Sequence, residues 1–190
     1  VAAMLLLTLR GTPTLYQGDE LGIGLVEVRP DRVQDPRELR QPGIGLGRDP
    51  ARTPMAWDAF PNAGFSAANP WLPLHADWRT RNVAAQVGDP ASMLSLHRAL
   101  LKLRRASAAL SIGSLALVEA EEDVLAYERR HGEERVLVAL NLGSRERAVP
   151  GGEEGRVLLS TLSTGEGDVL RPNEGAVISL SPSGERVPTR

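Results

Sequence analysis

The sequence contains no cysteine, one lysine, three histidines and seven aromatic residues in 190 positions, and the lack of cysteine and the spacing of the histidines each exclude a class of chemistry. Without cysteine there are no disulfides, thiolate nucleophiles or sulfur-ligated metals. His75, His97 and His131 share no i, i+3 or i+4 spacing, so a local histidine metal motif is absent and no metal or cofactor is expected. Net charge is also small: 22 basic against 24 acidic side chains leave a net of −2, which gives no field for nucleic acid or an anionic membrane surface. No apolar run is long enough to cross a bilayer, and the opening stretch Val1 to Leu9 lacks the basic flank and cleavage site of a signal peptide. Lys102 is the single lysine beside a large excess of arginine, a bias from which no function is drawn. What remains is carboxylate, arginine and aromatic chemistry on a chain that is 42% hydrophobic, with room for one or two cores.

The few aromatics are concentrated. Trp57, Phe60, Phe65, Trp71 and Trp78 all fall between positions 57 and 78. Such a stretch is either a ligand surface or a loop that uses large rings to pack itself onto a scaffold.

The pattern along the chain predicts two architectures in succession. Val1 to Leu9 has no capping residue in front and reads as the end of a helix that begins upstream, with Gly11 as its stop. Thr12 to Tyr16 is expected to be a short strand, Pro13 being tolerated near its first residue. From Gln17 to about Gly88 no helical or strand period persists, and a loop region of this length is expected to be functional and to contain short helical turns. Asp89-Pro90 is expected to open the best helix, which carries Leu96, Leu100 and Leu103 on one face and stops near Ser107, with His97 as a packed or half-exposed helix residue. The expected strands after residue 110 are Leu115 to Glu119, Val124 to Arg130, Arg135 to Leu142, Gly155 to Ser160 and Ala176 to Leu180, with a hairpin turn at His131-Gly132. Their spacing without intervening helices suggests an antiparallel sandwich, and the domain boundary is placed at residue 110. Arg129-Arg130 and Glu133-Glu134 are expected to form a solvated face around that turn, and the polar tail Ser181 to Arg190 is expected to fray.

Four motifs carry a family resemblance. They are Gly11-Thr-Pro-Thr-Leu-Tyr-Gln-Gly-Asp-Glu-Leu-Gly22, Gln34-Asp-Pro36, Gly47-Arg-Asp-Pro-Ala-Arg-Thr-Pro-Met-Ala-Trp-Asp58 and Pro61-Asn-Ala-Gly-Phe-Ser66. In that order they resemble the bacterial alpha-glucosidases and oligo-1,6-glucosidases of the alpha-amylase superfamily, glycoside hydrolase family thirteen. The resemblance covers residues 1 to about 180. It implies an α/β part, residues 1–110, that is the last portion of a (β/α)8 TIM-type barrel: the end of helix 7, strand 8, the long active-site loop and the last helix. It implies an all-β C-terminal domain, residues 111–190, of antiparallel β-sandwich type.

The resemblance also implies a functional geography. Active sites of such barrels lie at the C-terminal ends of the strands, where Gln17, Asp19, Glu20 and the aromatic loop would emerge. Asp19 and Glu20 are not a catalytic pair, because retaining hydrolysis needs carboxyls about 5–5.5 Å apart facing one bond, while neighbours on an extended backbone point to opposite sides. The family's nucleophile, acid and third acidic residue come from earlier strands, before Val1, so no catalytic residue is expected in this chain and alone it should be inert. Gln17, Asp19, Glu20, Trp57 and Asp58 are expected to be structural or supporting residues near the site. Arg52 is the expected substrate contact: it matches an arginine that bonds the glucose in the cleaved subsite, and a guanidinium fork suits hydroxyls and carboxylates alike. Ala56 stands where glutamine is usual, which leaves linkage preference open. The expected partners are an alpha-glucoside oligosaccharide and the upstream barrel segment, with neither nucleic acid nor membrane, and the expected location is cytoplasmic. A transglycosylating or isomerising relative, of trehalose synthase or sucrose isomerase type, and a non-enzymatic carbohydrate-binding or structural module are the alternatives. The latter would need exposed rings after residue 110, where Tyr127 is the only aromatic.

Overall fold

A computed structural model describes residues 1–151, 155–162 and 168–180, and the tail expected to fray from Ser181 lies outside the described residues. Two compact units result, one formed by Val1–Pro13 with Leu96–Arg190 and the other by Thr14–Ser95.

In the first unit the strand pattern after residue 110 produces a five-stranded antiparallel sheet. Its members are β1 (Ser114–Val118), β2 (Val124–His131), β3 (Glu134–Asn141), β5 (Gly155–Ser160) and β7 (Gly175–Leu180), in the order β1-β2-β3-β7-β5. A second, two-stranded sheet pairs β4 (Arg147–Ala148) with β6 (Val169–Leu170). The β2–β3 hairpin closes with His131 opposite Glu134, and Gly132 takes φ +59 at the first loop position, where a type II′ turn needs glycine.

Both faces of the large sheet are covered, which explains the unbroken apolar run Val136 to Leu140. Val136, Val138, Leu140, Tyr127 and Val177 pack against Met4 and Leu7 of α1 (Ala2–Thr8), Leu100 of the long helix and Ala109 and Leu110 of a short one. Leu137, Ala139, Ala126, Ala176 and Ile178, one residue out of phase, pack instead with Val149 and Leu170 beside the small sheet. The C-terminal part is thus an antiparallel β-sandwich whose second layer is small.

The apolar face of the first helix is covered, since Met4 and Leu7 are fully buried in the sheet's core. One expectation is corrected. Thr12 to Tyr16 is not a strand, because a strand is defined by a hydrogen-bonded partner and no described strand lies beside it.

The second unit bears out the reading of Gln17 to Gly88 as irregular chain with short turns: 3-10 turns at Asp19–Leu21, Pro30–Arg32, Asp49–Ala51 and Pro61–Gly64, with α2 (Pro36–Arg40) and α3 (Val83–Gln86). The next helix, α4 (Met93–Ala106), starts four residues after Asp89. Asp89 instead accepts from the N–H of Ala91 in a local turn, and Ser92 caps the helix by accepting from the N–H of Ser95 at 3.2 Å. It stops as expected and is followed by α5 (Ala108–Ile112), capped by Ser107. His97 is buried.

The hairpin charges divide, also against expectation. Arg130 and Glu133 are exposed, but Arg129 is fully buried on the helical face of the sheet. It donates to the carbonyls of Thr8, of Gly113 at 3.1 Å and of Ser114 at 3.1 Å, while Glu134 takes the Ser107 hydroxyl at 2.5 Å and the N–H of Ala109 at 3.0 Å. Strand alternation puts Arg129 in phase with Tyr127, and three carbonyl acceptors make a buried guanidinium tolerable there. No described helix is long and apolar enough to cross a membrane.

Candidate functional site

Two Asp-Pro dipeptides organise the loop unit. Asp35 caps α2, its Oδ1 accepting from the N–H of Arg37 at 2.9 Å, with Pro36 in the first turn where a missing N–H costs nothing. Its Oδ2 reaches across to the second motif, accepting from the N–H of Arg48 at 3.2 Å and from Arg48 Nε at 2.9 Å. Asp49 returns the contact: its Oδ2 accepts from the N–H groups of Gln34 at 2.6 Å and Asp35 at 2.8 Å. Each carboxylate therefore ties down the backbone that carries the other, and both are buried.

Arg52 stands beside this clasp. Its guanidinium Nη1 lies 3.8 Å from Asp35 Oδ2, and its side chain is half exposed. The Arg37 N–H and the Arg48 guanidinium favour the charged form of Asp35 more than burial opposes it, and its pKa falls to about 2. On the other flank, Gln17 Nε2 donates to the carbonyl of Thr53 at 2.7 Å. Arg52 is thus bracketed between two anchored neighbours, with half of its surface free for a ligand.

The remaining expected site residues hold local backbone. Asp19 accepts from the N–H of Tyr16 at 2.9 Å and Glu20 from that of Gly18 at 2.8 Å. Both lie in a 3-10 turn rather than on the extended backbone assumed from sequence, and each carboxylate is engaged with its own turn. Asp58 accepts from the N–H of Phe60 at 2.9 Å. Trp57 exchanges backbone hydrogen bonds with Ala63 and Ala84 and leaves its ring half exposed. Phe60, Phe65 and Trp71 are exposed as well, so within this unit most of the aromatic stretch is surface rather than packing; Trp78 lies under Arg79, 4.2 Å from the ring centroid.

Among the cavities that open in the unit are these two. One of about 230 Å³ lies beside Tyr16, Gln17, Asp19, Ile23, Pro50 and Thr53. The other, about 420 Å³ and mostly apolar, is lined by Val28, Val33, Leu39, Pro42 and Gly47. Its rim is shaped by Glu38, which accepts from the N–H groups of Gly43 and Gly47; a Cβ on Gly47 would come within 2.9 Å of that side chain. Elsewhere in the unit His75 Nδ1 is bonded to Asp77 Oδ1 at 2.8 Å, and the buried Nε2 has no partner. Among the described residues no group of three or more His, Cys, Asp and Glu could hold a metal ion.

Sequence reasoning singled out Arg52 and Gln17 but quoted Asp35 and Asp49 only as parts of motifs. The available signal was Asp directly before Pro, at 35–36 and 49–50 as at 89–90, which marks a turn or helix start. Which distant N–H groups those carboxylates would take was not readable.

Residues 1–113 match the family model described as alpha amylase, catalytic domain, and residues 114–178 match the model of a domain of unknown function, DUF3459. The chain belongs to the alpha-amylase family. Among its relatives, a probable alpha-glucosidase of Rhizobium meliloti is 42% identical over 140 residues, 74% of this chain and 25% of that protein. A glucan 1,6-alpha-glucosidase of Streptococcus pneumoniae is 34% identical over 162 residues, 76% of this chain and 30% of that protein. The crystal structure of the alpha-glucosyl transfer enzyme XgtA matches with a TM-score of 0.80 and 36% identity, covering 94% of this chain and 34% of that one. An isomaltulose synthase of Erwinia rhapontici, solved with its natural substrate sucrose, matches with a TM-score of 0.80 and 29% identity over 95% of this chain and 37% of that one. The chain spans about a quarter to a third of the length of the curated relatives it matches.

Proposed function

We propose that this chain supplies the last part of the catalytic barrel, residues 1–110, and the all-β domain, residues 111–190, of a retaining alpha-glucosidase acting on short alpha-glucosides in the cytoplasm. The observation that carries the reading is Arg52: a half-exposed guanidinium steadied by a buried carboxylate, on a loop held from both sides. A planar fork of donors fixed in this way suits adjacent sugar hydroxyls. Gln17, Asp19, Glu20, Trp57 and Asp58 hold the turns around it. In this reading the catalytic carboxylates belong to the portion of the relatives that the chain does not span. The 190-residue chain then has no turnover of its own on maltose, isomaltose or a nitrophenyl alpha-glucoside, because binding contacts alone cannot replace the two-carboxylate mechanism. Activity above the buffer background that survives repurification overturns this. In a longer polypeptide carrying the catalytic pair, Arg52→Ala lowers kcat/KM on the order of ten- to a hundredfold, as the loss of a charged hydrogen bond requires, with little change in melting temperature. An unchanged kcat/KM, or a melting temperature that collapses with it, makes Arg52 a structural residue.

A glucosyl transfer or isomerisation reaction is the second reading, favoured by the likeness to XgtA and to isomaltulose synthase. Product analysis separates the two: free glucose alone indicates hydrolysis, and new glucosidic linkages indicate transfer or isomerisation.

A further inference from the structure

We propose that Asp35 is a positioning residue for Arg52, and that Arg48 competes with Arg52 for it. The inference rests on the reading that Arg52 contacts the sugar. Asp35 is 1% exposed, yet one of its oxygens faces two guanidinium groups, both half exposed: Arg48 through a 2.9 Å hydrogen bond and Arg52 through a 3.8 Å ion pair. A buried carboxylate with its other oxygen committed to the Arg37 N–H has one oxygen left to share. Arg48 holds that oxygen tightly, which leaves Arg52 oriented by charge and free to turn its fork toward a ligand. The clasp fixes where this happens, since Asp49 holds the N–H of Asp35 itself while the Arg48 N–H is held by Asp35. An asparagine at position 35 keeps the shape but removes the charge, and an amide NH2 turned toward Arg48 sets donor against donor where the carboxylate oxygen accepts.

Two measurements test this, and they fail independently. In the 190-residue chain, nitrogen-15 relaxation of the Arg52 Nε–H group reads its order directly. Arg48→Gln, a change at a half-exposed side chain, releases the shared oxygen and makes Arg52 more ordered; Asp35→Asn makes it less ordered. An Arg52 signal unchanged in Arg48→Gln overturns the proposal even if Asp35→Asn does not fold. In the longer catalytic polypeptide, Asp35→Asn lowers kcat/KM about tenfold when Arg52 is present and less than about twofold in the Arg52→Ala background. Equal losses in both backgrounds show that Asp35 acts on the fold alone and overturn the proposal. If Arg52→Ala by itself changes nothing, the substrate reading of Arg52 fails, while the relaxation measurement still decides whether Asp35 orients it.

Discussion

Replacing Arg129 by methionine should be among the most damaging single changes in the β-domain, although the residue lies far along the chain from the loops that carry the candidate site. Methionine keeps most of the aliphatic volume and removes the guanidinium. Three carbonyls, those of Thr8, Gly113 and Ser114, then lose a charged donor inside the protein. Each hydrogen bond to a charged group is worth roughly 1.5–3 kcal/mol, but removing the cation also relieves its own desolvation, which is what pulls the Arg129 pKa down, with repulsion from Arg104 next. The net loss is set at about 3–5 kcal/mol, the lower part of the range for three acceptors left without a donor at about 1–3 kcal/mol each. Against a typical stability of about 5–15 kcal/mol this is a large fraction. It corresponds to a fall in melting temperature of roughly 6–20 °C for a chain of this size. Urea unfolding followed by circular dichroism at pH 7 measures it. The position of Thr8 at the end of α1 adds a second expectation: amides of Ala2–Thr8 should exchange faster in the variant, because Arg129 and Arg104, which donates to Leu7, Leu9 and Gly11, together cap the negative end of that helix. A loss below about 1 kcal/mol, with exchange in α1 unchanged, would refute the idea that Arg129 anchors the helix.

Limited trypsin treatment should cut first in the exposed arginine-containing stretch between Arg29 and Arg48, while α1 stays with residues 96–180 under native conditions because Met4 and Leu7 are buried in that core; release of a peptide beginning at Val1 ahead of those cuts would contradict it. The pH dependence follows from Asp35, whose pKa of about 2 lies below the ordinary 3.8. A depressed folded-state value means that its stabilisation is complete above the unfolded value and is lost as pH falls through about 2. Wild-type and Asp35→Asn chains should therefore differ most in melting temperature above about pH 5 and converge toward pH 2; a constant difference across that range would show that the charge of Asp35 is not what the clasp uses.

Much of the β-domain was readable without coordinates, because its signals are local. Alternating apolar residues and a glycine at the hairpin placed β2, β3, β5 and β7 within one residue or so of where they lie. The two-residue strands β4 and β6 carry no period long enough to detect. In the loop unit the motifs announced a functional surface and named Arg52 and Gln17, yet left the partner of Arg52 open. Asp35, Asp49 and Arg129 act on N–H groups, guanidiniums and carbonyls that are brought to them by chain folding. A carboxylate or a guanidinium in a sequence declares what it can bond, not what it will find. The strand misread at Thr12 to Tyr16 and the solvated face misread at Arg129 share one cause. Pairing and burial depend on neighbours distant in sequence, whereas propensity, period and turn chemistry depend on neighbours a few residues away. The sequence by itself determined the order of elements, the residue types at the candidate site and the family; the tertiary structure alone decided which charges are buried, which carboxylate steadies which arginine, and which helix covers the sheet.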